Sequence, residues 1–480
     1  MKKWISYTLL GGMVLLLTAC QGANARKNAA VDPTIVTIWH YYNGAQKEAF
    51  DKRVTVFNET EGMAQGIVVE AISKGNIGEL MKAIEASRKE EVGSEKLPDV
   101  FSAYSDTAYD FDQKGLLADL APYMTAAEIE SYEEAYMKEG QFDATGGIKL
   151  FPIAKATEVF SINQTDWEPF AAETGYSEQD FTTWESLTKV AQAYYEWTDA
   201  QTETPYDGKA FYGRDAFANY MLVGSLQLGH EIYRMQDEKT VLDFDRPTMQ
   251  RLWDHYYTPY INGYYASYGR FRSDDVKTGD LLAFTGSSSG TAYFPDTLTL
   301  EDGTAYPIRG KIYPLPNFSG TEPLAVQQGA GMAVMKSEAV QEAAAVSFLK
   351  WFTEEEGKME FSAVTGYLPV KKTEIQFENM DAYLKGKSDF SEIAKEGIRV
   401  GMQMVRDYQL YTPAPTPQGS EIRHILEISM PQKAKEDREK VLELIANGKT
   451  REEAVEIISA GQFDLWYEAV HQQLLEIIGE

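Results

Sequence analysis

Beyond residue 33 the apolar positions of the chain switch repeatedly between two periods. Thr34–Trp39 (TIVTIW) is β-branched and alternating, which predicts a strand. Gln46–Phe57 carries helical spacing. Gly66–Ala71 (GIVVEA) predicts a second strand, and Ile77–Glu90 a helix with Ile77, Leu80, Met81 and Ile84 on one face. Pro98–Ser102 is a third, short strand. Strands alternating with helices in this order imply an α/β unit with a largely parallel sheet.

The pattern continues less regularly. Ile148–Ile153 and Glu158–Ile162 are predicted strands separated by Ala154–Thr157. Thr182 and Glu185 have the spacing of a capping box that opens a helix through Trp197, and Asp215–Leu228 is another helix. Residues 255–325 are rich in Tyr, Gly and Ser, with strand-like pieces returning at Gly310–Tyr313 and Gly331–Met335. Ala339–Phe352 is amphipathic, and Pro413–Gln418 is a proline-rich connector. Two C-terminal helices meet at Asn447–Thr450, where Gly448 closes the first and Thr450 with Glu453 caps the second. No repeat of twenty to fifty residues is present. The 480 residues exceed what one hydrophobic core holds, so two lobes are expected.

The first residues follow a different rule. Lys2 and Lys3 precede an apolar stretch from Ile5 to Leu17, and Leu17-Thr18-Ala19-Cys20 follows. This predicts a signal peptide over residues 1–19. The tetrapeptide resembles a bacterial lipobox, in which the cysteine receives lipid and becomes the new N-terminus. Residues 20–33 then read as a polar tether, which places the protein outside the cytoplasm on a lipid anchor at Cys20. Cys20 is the single cysteine, so an intrachain disulfide and a cysteine zinc site are both excluded. Charge sharpens this picture. The chain carries 45 basic and 73 acidic residues, a net −28, and such a surface repels nucleic acid and anionic lipid heads.

Catalytic signatures are missing. The five histidines show no metal spacing, and there is no G-x-S-x-G. Gly448-Lys449-Thr450 ends like a P-loop, but residue 443 is Glu where the first Gly is required. GAGMAV (329–334) lacks the third Gly of a dinucleotide fingerprint. No cofactor or metal is expected. A pair of acids acting as in a glycoside hydrolase, or another carbohydrate-active lipoprotein, is the alternative to a binding role, since 73 carboxylates leave such a pair open.

Several blocks together resemble the extracellular solute-binding proteins of ABC importers, the family of the maltodextrin- and glycerol-3-phosphate-binding proteins. They are TIWHYYNG, LPDVFSAYSDTAYDFDQKGLLADLAPYM, FPIAKATEVFSINQTDW, GDLLAFTGSSSG, VQQGAGMAVM, AVSFLKWFTEEEGKMEFSAVTGYLPVKK and ANGKTREEAVEII. GSSSG and TGYLPV look closest to the glycerol-3-phosphate branch. The resemblance implies a two-lobed periplasmic-binding-protein-like fold of type II with three interlobe crossings and a C-terminal helical extension. The crossings would fall at Pro152–Glu158, Val326–Gly331 and Gly366–Lys371. One lobe would comprise 34–154 plus 331–368, the other 158–327 plus 371–480. It further implies a protein that is not an enzyme, whose partners are a sugar or glycerol-phosphate solute and the permease subunits of an importer.

Candidate contacts follow from position and chemistry. Tyr41 and Tyr42 end the first strand, and Tyr104 and Asp106 follow the third, where open α/β sheets bind ligands. Lys155, Thr157 and Glu158 lie on the first crossing, with polar groups suited to hydroxyls. Arg214 offers a guanidinium fork, while Asp215 suits a helix N-terminus. Ser288 and Ser289, between Gly286 and Gly290, form a loop of hydroxyls and amides. Gly331 allows close backbone approach, Tyr367 lies in the third crossing, and Arg423 offers a second guanidinium.

Overall fold

The computed structural model describes residues 32–142, 146–237, 239–385 and 391–479. The leader 1–19, Cys20 and most of the tether lie outside the described residues. Two four-stranded sheets organise two lobes. The first runs in the order Gly331–Val334, Val100–Ala103, Thr34–His40, Ile67–Ser73. Its last three strands are parallel and Gly331–Val334 joins antiparallel. Side chains alternate between two cores on its faces. Val36, Ile38, Val100, Met332 and Val334 pack with Phe50, Phe57, Phe348 and Phe352. Trp39, Phe101 and Ala333 face Leu80, Ile84 and Phe111. The period of two thus decides which helix each residue meets.

The second sheet has the order Gly310–Tyr313, Glu158–Asn163, Leu281–Ser287, Ala210–Arg214. Only Ala210–Arg214 pairs parallel with its neighbour. An aromatic core that includes Trp167, Phe170, Phe181, Trp184 and Tyr212 covers one face. The long C-terminal helix Gly419–Ala446 buries Ile422, Leu426 and Met430 in the same core.

The structure corrects four readings. Ile148–Ile153 makes one bridge, Phe151 to Met332, because Ile148 donates instead to the Asp119 carboxylate and Lys149 to Gly140. The cap of helix Trp184–Asp199 is Thr183, which accepts from Ser186 N at 3.2 Å, while Thr182 closes the preceding turn. Helix Phe217–Gln227 begins after Asp215, and its first amides are satisfied by Glu427 rather than by Asp215. The C-terminal extension breaks a second time, at left-handed Gly461, giving Gly419–Ala446, Arg451–Ser459 and Gln462–Ile478. The Thr450–Glu453 capping box is present as read. Among the described residues no helix is long and apolar enough to cross a membrane.

Candidate functional site

The three crossing segments lie side by side. Ala156 and Gln328 exchange backbone hydrogen bonds at 2.9 and 2.8 Å, and Leu368 N donates to Lys155 O at 2.6 Å. Gly329 enables this contact. Its φ is +90°, and a Cβ there would stand 2.4 Å from Ala154 O. Lys155 is fully buried, ion-paired with Glu139 and donating to Gly329 O at 2.7 Å. Gln327 donates to the same Glu139 carboxylate at 2.5 Å. Thr157 is also fully buried and donates to Val326 O at 2.9 Å, so it ties one crossing to another.

A buried polar chain leads from the crossings into the second lobe. Glu158 accepts from Arg214 and from Asn219, both at 2.8 Å. Arg423 Nη2 donates to Asn219 Oδ1 at 2.6 Å. Burial raises the Glu158 carboxyl above its ordinary value, against the pull of Arg214 and Asn219. The site therefore joins Glu158, Arg214 and Arg423 through Asn219, a residue that sequence reasoning missed. Its signal was absent because an Asn inside a helix carries no motif. Asp215 turns to Arg272, whose Nε lies 3.4 Å away. Between Asp215 and the helix, Ala216 holds φ +47°, an uncommon conformation for a non-glycine residue.

The first lobe holds other candidates, none of them in the lining of the cavity described below. The Tyr41 and Tyr367 hydroxyls are 3.0 Å apart. Tyr42, by contrast, points into the core among His40, Phe50 and Phe361. Tyr104 is 44% exposed, yet burial around its hydroxyl raises its pKa against the pull of the Arg423 charge. Asp106 accepts from Ser420 of the second lobe at 3.2 Å.

The serine turn is divided. Ser288 is fully buried and bonded to Thr157 through both its amide and its hydroxyl. Ser289 is half-buried beside Ser287, with hydroxyls 2.9 Å apart. It also meets Gly366, where a Cβ would stand 3.0 Å from Ser289 Cα. Gly331 is filled from behind by Leu150, 2.5 Å from where a Cβ would be, so its smallness serves packing within the first lobe.

A cavity of about 1400 Å³ opens from Glu158 and Gln328 at the crossings. Asn43 and Gln46 of the first lobe border it, with Asp215, Ala216, Phe271, Ser287 and Ser289 of the second. Among the described residues no group of three or more His, Cys, Asp or Glu is placed to hold a metal.

Comparison with known proteins matches residues 52–383 to a family described as bacterial extracellular solute-binding protein. No curated sequence matches the chain significantly. Among solved structures it is similar to the cyclic α-maltosyl-1,6-maltose binding protein of Arthrobacter globiformis, with 18% identity and a TM-score of 0.64 over 91% of this chain and 100% of that one. It is similar to UgpB of Mycobacterium tuberculosis in complex with glycerophosphocholine, with 17% identity and a TM-score of 0.65 over 91% and 98%. A substrate-binding protein of Listeria monocytogenes in complex with cycloalternan gives 15%, 0.63, and coverage of 92% and 99%. At these identities the likeness establishes the shared two-lobed fold.

Proposed function

Because this chain belongs to the bacterial extracellular solute-binding proteins, we propose that it captures a carbohydrate or glycerol-phosphate-type solute between its lobes and delivers it to an ABC importer permease. The observation that supports this most is the set of crossings paired at Lys155–Leu368 and Ala156–Gln328, with a large cavity opening beside them. Paired extended segments between two separate cores form a hinge, and a solute that touches both walls shifts the hinge toward closure. On this reading the lobes divide as 34–154 with 331–368 and 158–327 with 371–480. Ile375, Met380 and Leu384 reach back into the first core.

The proposed contacts are Tyr41, Tyr104, Asp106 and Tyr367 on one wall, with Glu158, Arg214, Ser289 and Arg423 on the other. Tyr42, Thr157, Ser288 and Gly331 support these positions through packing and backbone bonds. Aromatic rings suit the flat faces of sugars, and the charged and hydroxyl groups suit their edges. No catalytic step is proposed. Family membership carries an extracytoplasmic location, and we propose that the leader 1–19 is removed and that lipid on Cys20 tethers the protein to the membrane.

Thermal-shift screening against sugars and phosphodiesters tests the binding reading. A solute at about a hundred times its dissociation constant adds roughly 2.7 kcal/mol of stability. Turnover of a stabilising solute would overturn the non-enzymatic part. Mass spectrometry of the membrane-extracted chain tests the acyl group, and a Cys20→Ala variant still held at the membrane would remove the anchor.

A further inference from the structure

Asn219 stands between the first crossing and a helix that reaches the other lobe, and both ends of its amide are used. Its Nδ2 donates to Glu158 Oε1 at 2.8 Å, and its Oδ1 accepts from Arg423 Nη2 at 2.6 Å. Chemistry dictates this orientation, because a guanidinium only donates and a carboxylate only accepts. The second Glu158 oxygen accepts from Arg214 Nη2 at 2.8 Å. Asn219 is 1% exposed, so its amide has no surface to offer a solute.

The two partners belong to different parts of the fold. Glu158 opens strand Glu158–Asn163 and follows Thr157, which donates to Val326 O on the second crossing. Arg423 lies on helix Gly419–Ala446, one turn after Ser420, whose hydroxyl reaches Asp106 of the first lobe. Burial raises the pKa of the Tyr104 hydroxyl in the first lobe, and the Arg423 charge opposes that rise, so the guanidinium stands toward the facing lobe.

Asn219 is held in place from its own side. Its backbone amide donates to Ala216 O at 3.0 Å, and Ala216 keeps φ +47°. The two amides between them, of Phe217 and Ala218, are fixed by the Glu427 carboxylate. Backbone strain at a non-glycine residue persists only where the surroundings over-determine it. Here it sets the direction in which the Asn219 side chain leaves its helix.

Resting on the solute-capture reading above, we infer that Asn219 is a positioning residue for solute binding: it aims Arg423 at the facing lobe and ties that guanidinium, through Glu158, to the first crossing. A solute held by Arg423 is thereby coupled to the hinge, although Asn219 itself touches no solute.

Titration calorimetry of the purified protein and of two variants tests this, with maltose, maltotetraose and glycerophosphocholine as probes. None of the three ionises over the range used, so pH acts on the protein alone. Asn219→Asp sets a second carboxyl against Glu158, among Arg214, Arg423 and Glu427. Like charges this close resist ionising together, so the pair retains a proton in mild acid and the new O–H donates to Glu158 as the amide did. The dissociation constant should lie within about twofold of the parent's at about pH 5. It should exceed the parent's about tenfold at about pH 8, where both carboxyls are ionised and pushed apart. Asn219→Ala should lose about tenfold at both values. A role in packing alone would lower the melting temperature and leave the ratio to the parent independent of pH. A pH-independent ratio for Asn219→Asp, or an Asn219→Ala variant that binds like the parent, would overturn the inference and leave solute capture standing. If one variant fails to fold, the other decides alone. A parent that binds none of the probes would overturn the inference and the reading beneath it together.

Discussion

Asp106 of the first lobe accepts a hydrogen bond from the Ser420 hydroxyl of the second at 3.2 Å, across 314 residues of sequence. Ser420 lies in the first turn of the Gly419–Ala446 helix. The carboxylate thus faces the positive end of a 28-residue helix dipole across the lobes. A contact of this kind exists only while the lobes are together, so it biases the hinge toward closure. Asp106→Ala is expected to weaken solute binding by about 1 kcal/mol, roughly fivefold. Calorimetry reads the affinity, and an unchanged dissociation constant would remove Asp106 from closure.

The same helix holds the cleft wall in shape. Glu427 accepts the Phe217 amide at 3.0 Å and the Ala218 amide at 2.7 Å. These donors follow Ala216, the left-handed residue on the cavity wall. Glu427→Ala leaves two buried amides without their acceptor and is expected to cost about 1–3 kcal/mol of stability. Added formate should restore part of the loss by occupying the vacated carboxylate position. Denaturant titration with and without formate reads both effects, and a variant as stable as the parent contradicts the capping role.

At the hinge, Gly329→Ala should destabilise the protein by more than about 1 kcal/mol. A side chain there must adopt a left-handed backbone. It must also fit within 2.4 Å of Ala154 O. An unchanged denaturant midpoint would mean that the crossings are not pressed together as described.

Acid should loosen the first lobe through His40. This side chain is fully buried against Tyr42 and Phe50, and its ring nitrogens have no hydrogen-bond partner among the described residues. Burial lowers its pKa from 6.5 to about 4, with Asp51 opposing and Lys47 assisting. Between those values the unfolded chain takes up a proton that the folded chain refuses. Stability from His40 is thus present above pH 6.5 and is lost as pH falls toward 4, by about 3 kcal/mol in total. Unfolding free energies of parent and His40→Phe between pH 4 and 7 should diverge by that slope. Parallel profiles would contradict it.

What the sequence discloses and what it hides have physical reasons. The strand Thr34–His40 was legible because its alternation sends Val36 and Ile38 to one core and Trp39 to the other, and the helix Ile77–Arg88 because it buries one periodic face. The resemblance, and not the residues alone, suggested the crossings, and the left-handed backbone at Gly329 and Gly366 accords with glycine at those two positions. The inventory of the site was less legible. Tyr41 and Tyr42 look alike in sequence, yet a one-residue step along the chain turns Tyr42 inward and leaves Tyr41 beside Tyr367. Glu427 caps a helix about two hundred residues earlier, and Asn219 joins Glu158 to Arg423. Such links are made by tertiary packing, and no local spacing encodes them. The third C-terminal helix escaped notice because Gly461 interrupts a run that otherwise keeps helical spacing.

The central claim is a hinge that a solute closes, and small-angle scattering tests it most directly. With a solute that calorimetry shows to bind, the account predicts a smaller radius of gyration and a matching change in the scattering profile, both diminished in Asp106→Ala. Identical profiles with and without saturating solute would contradict it.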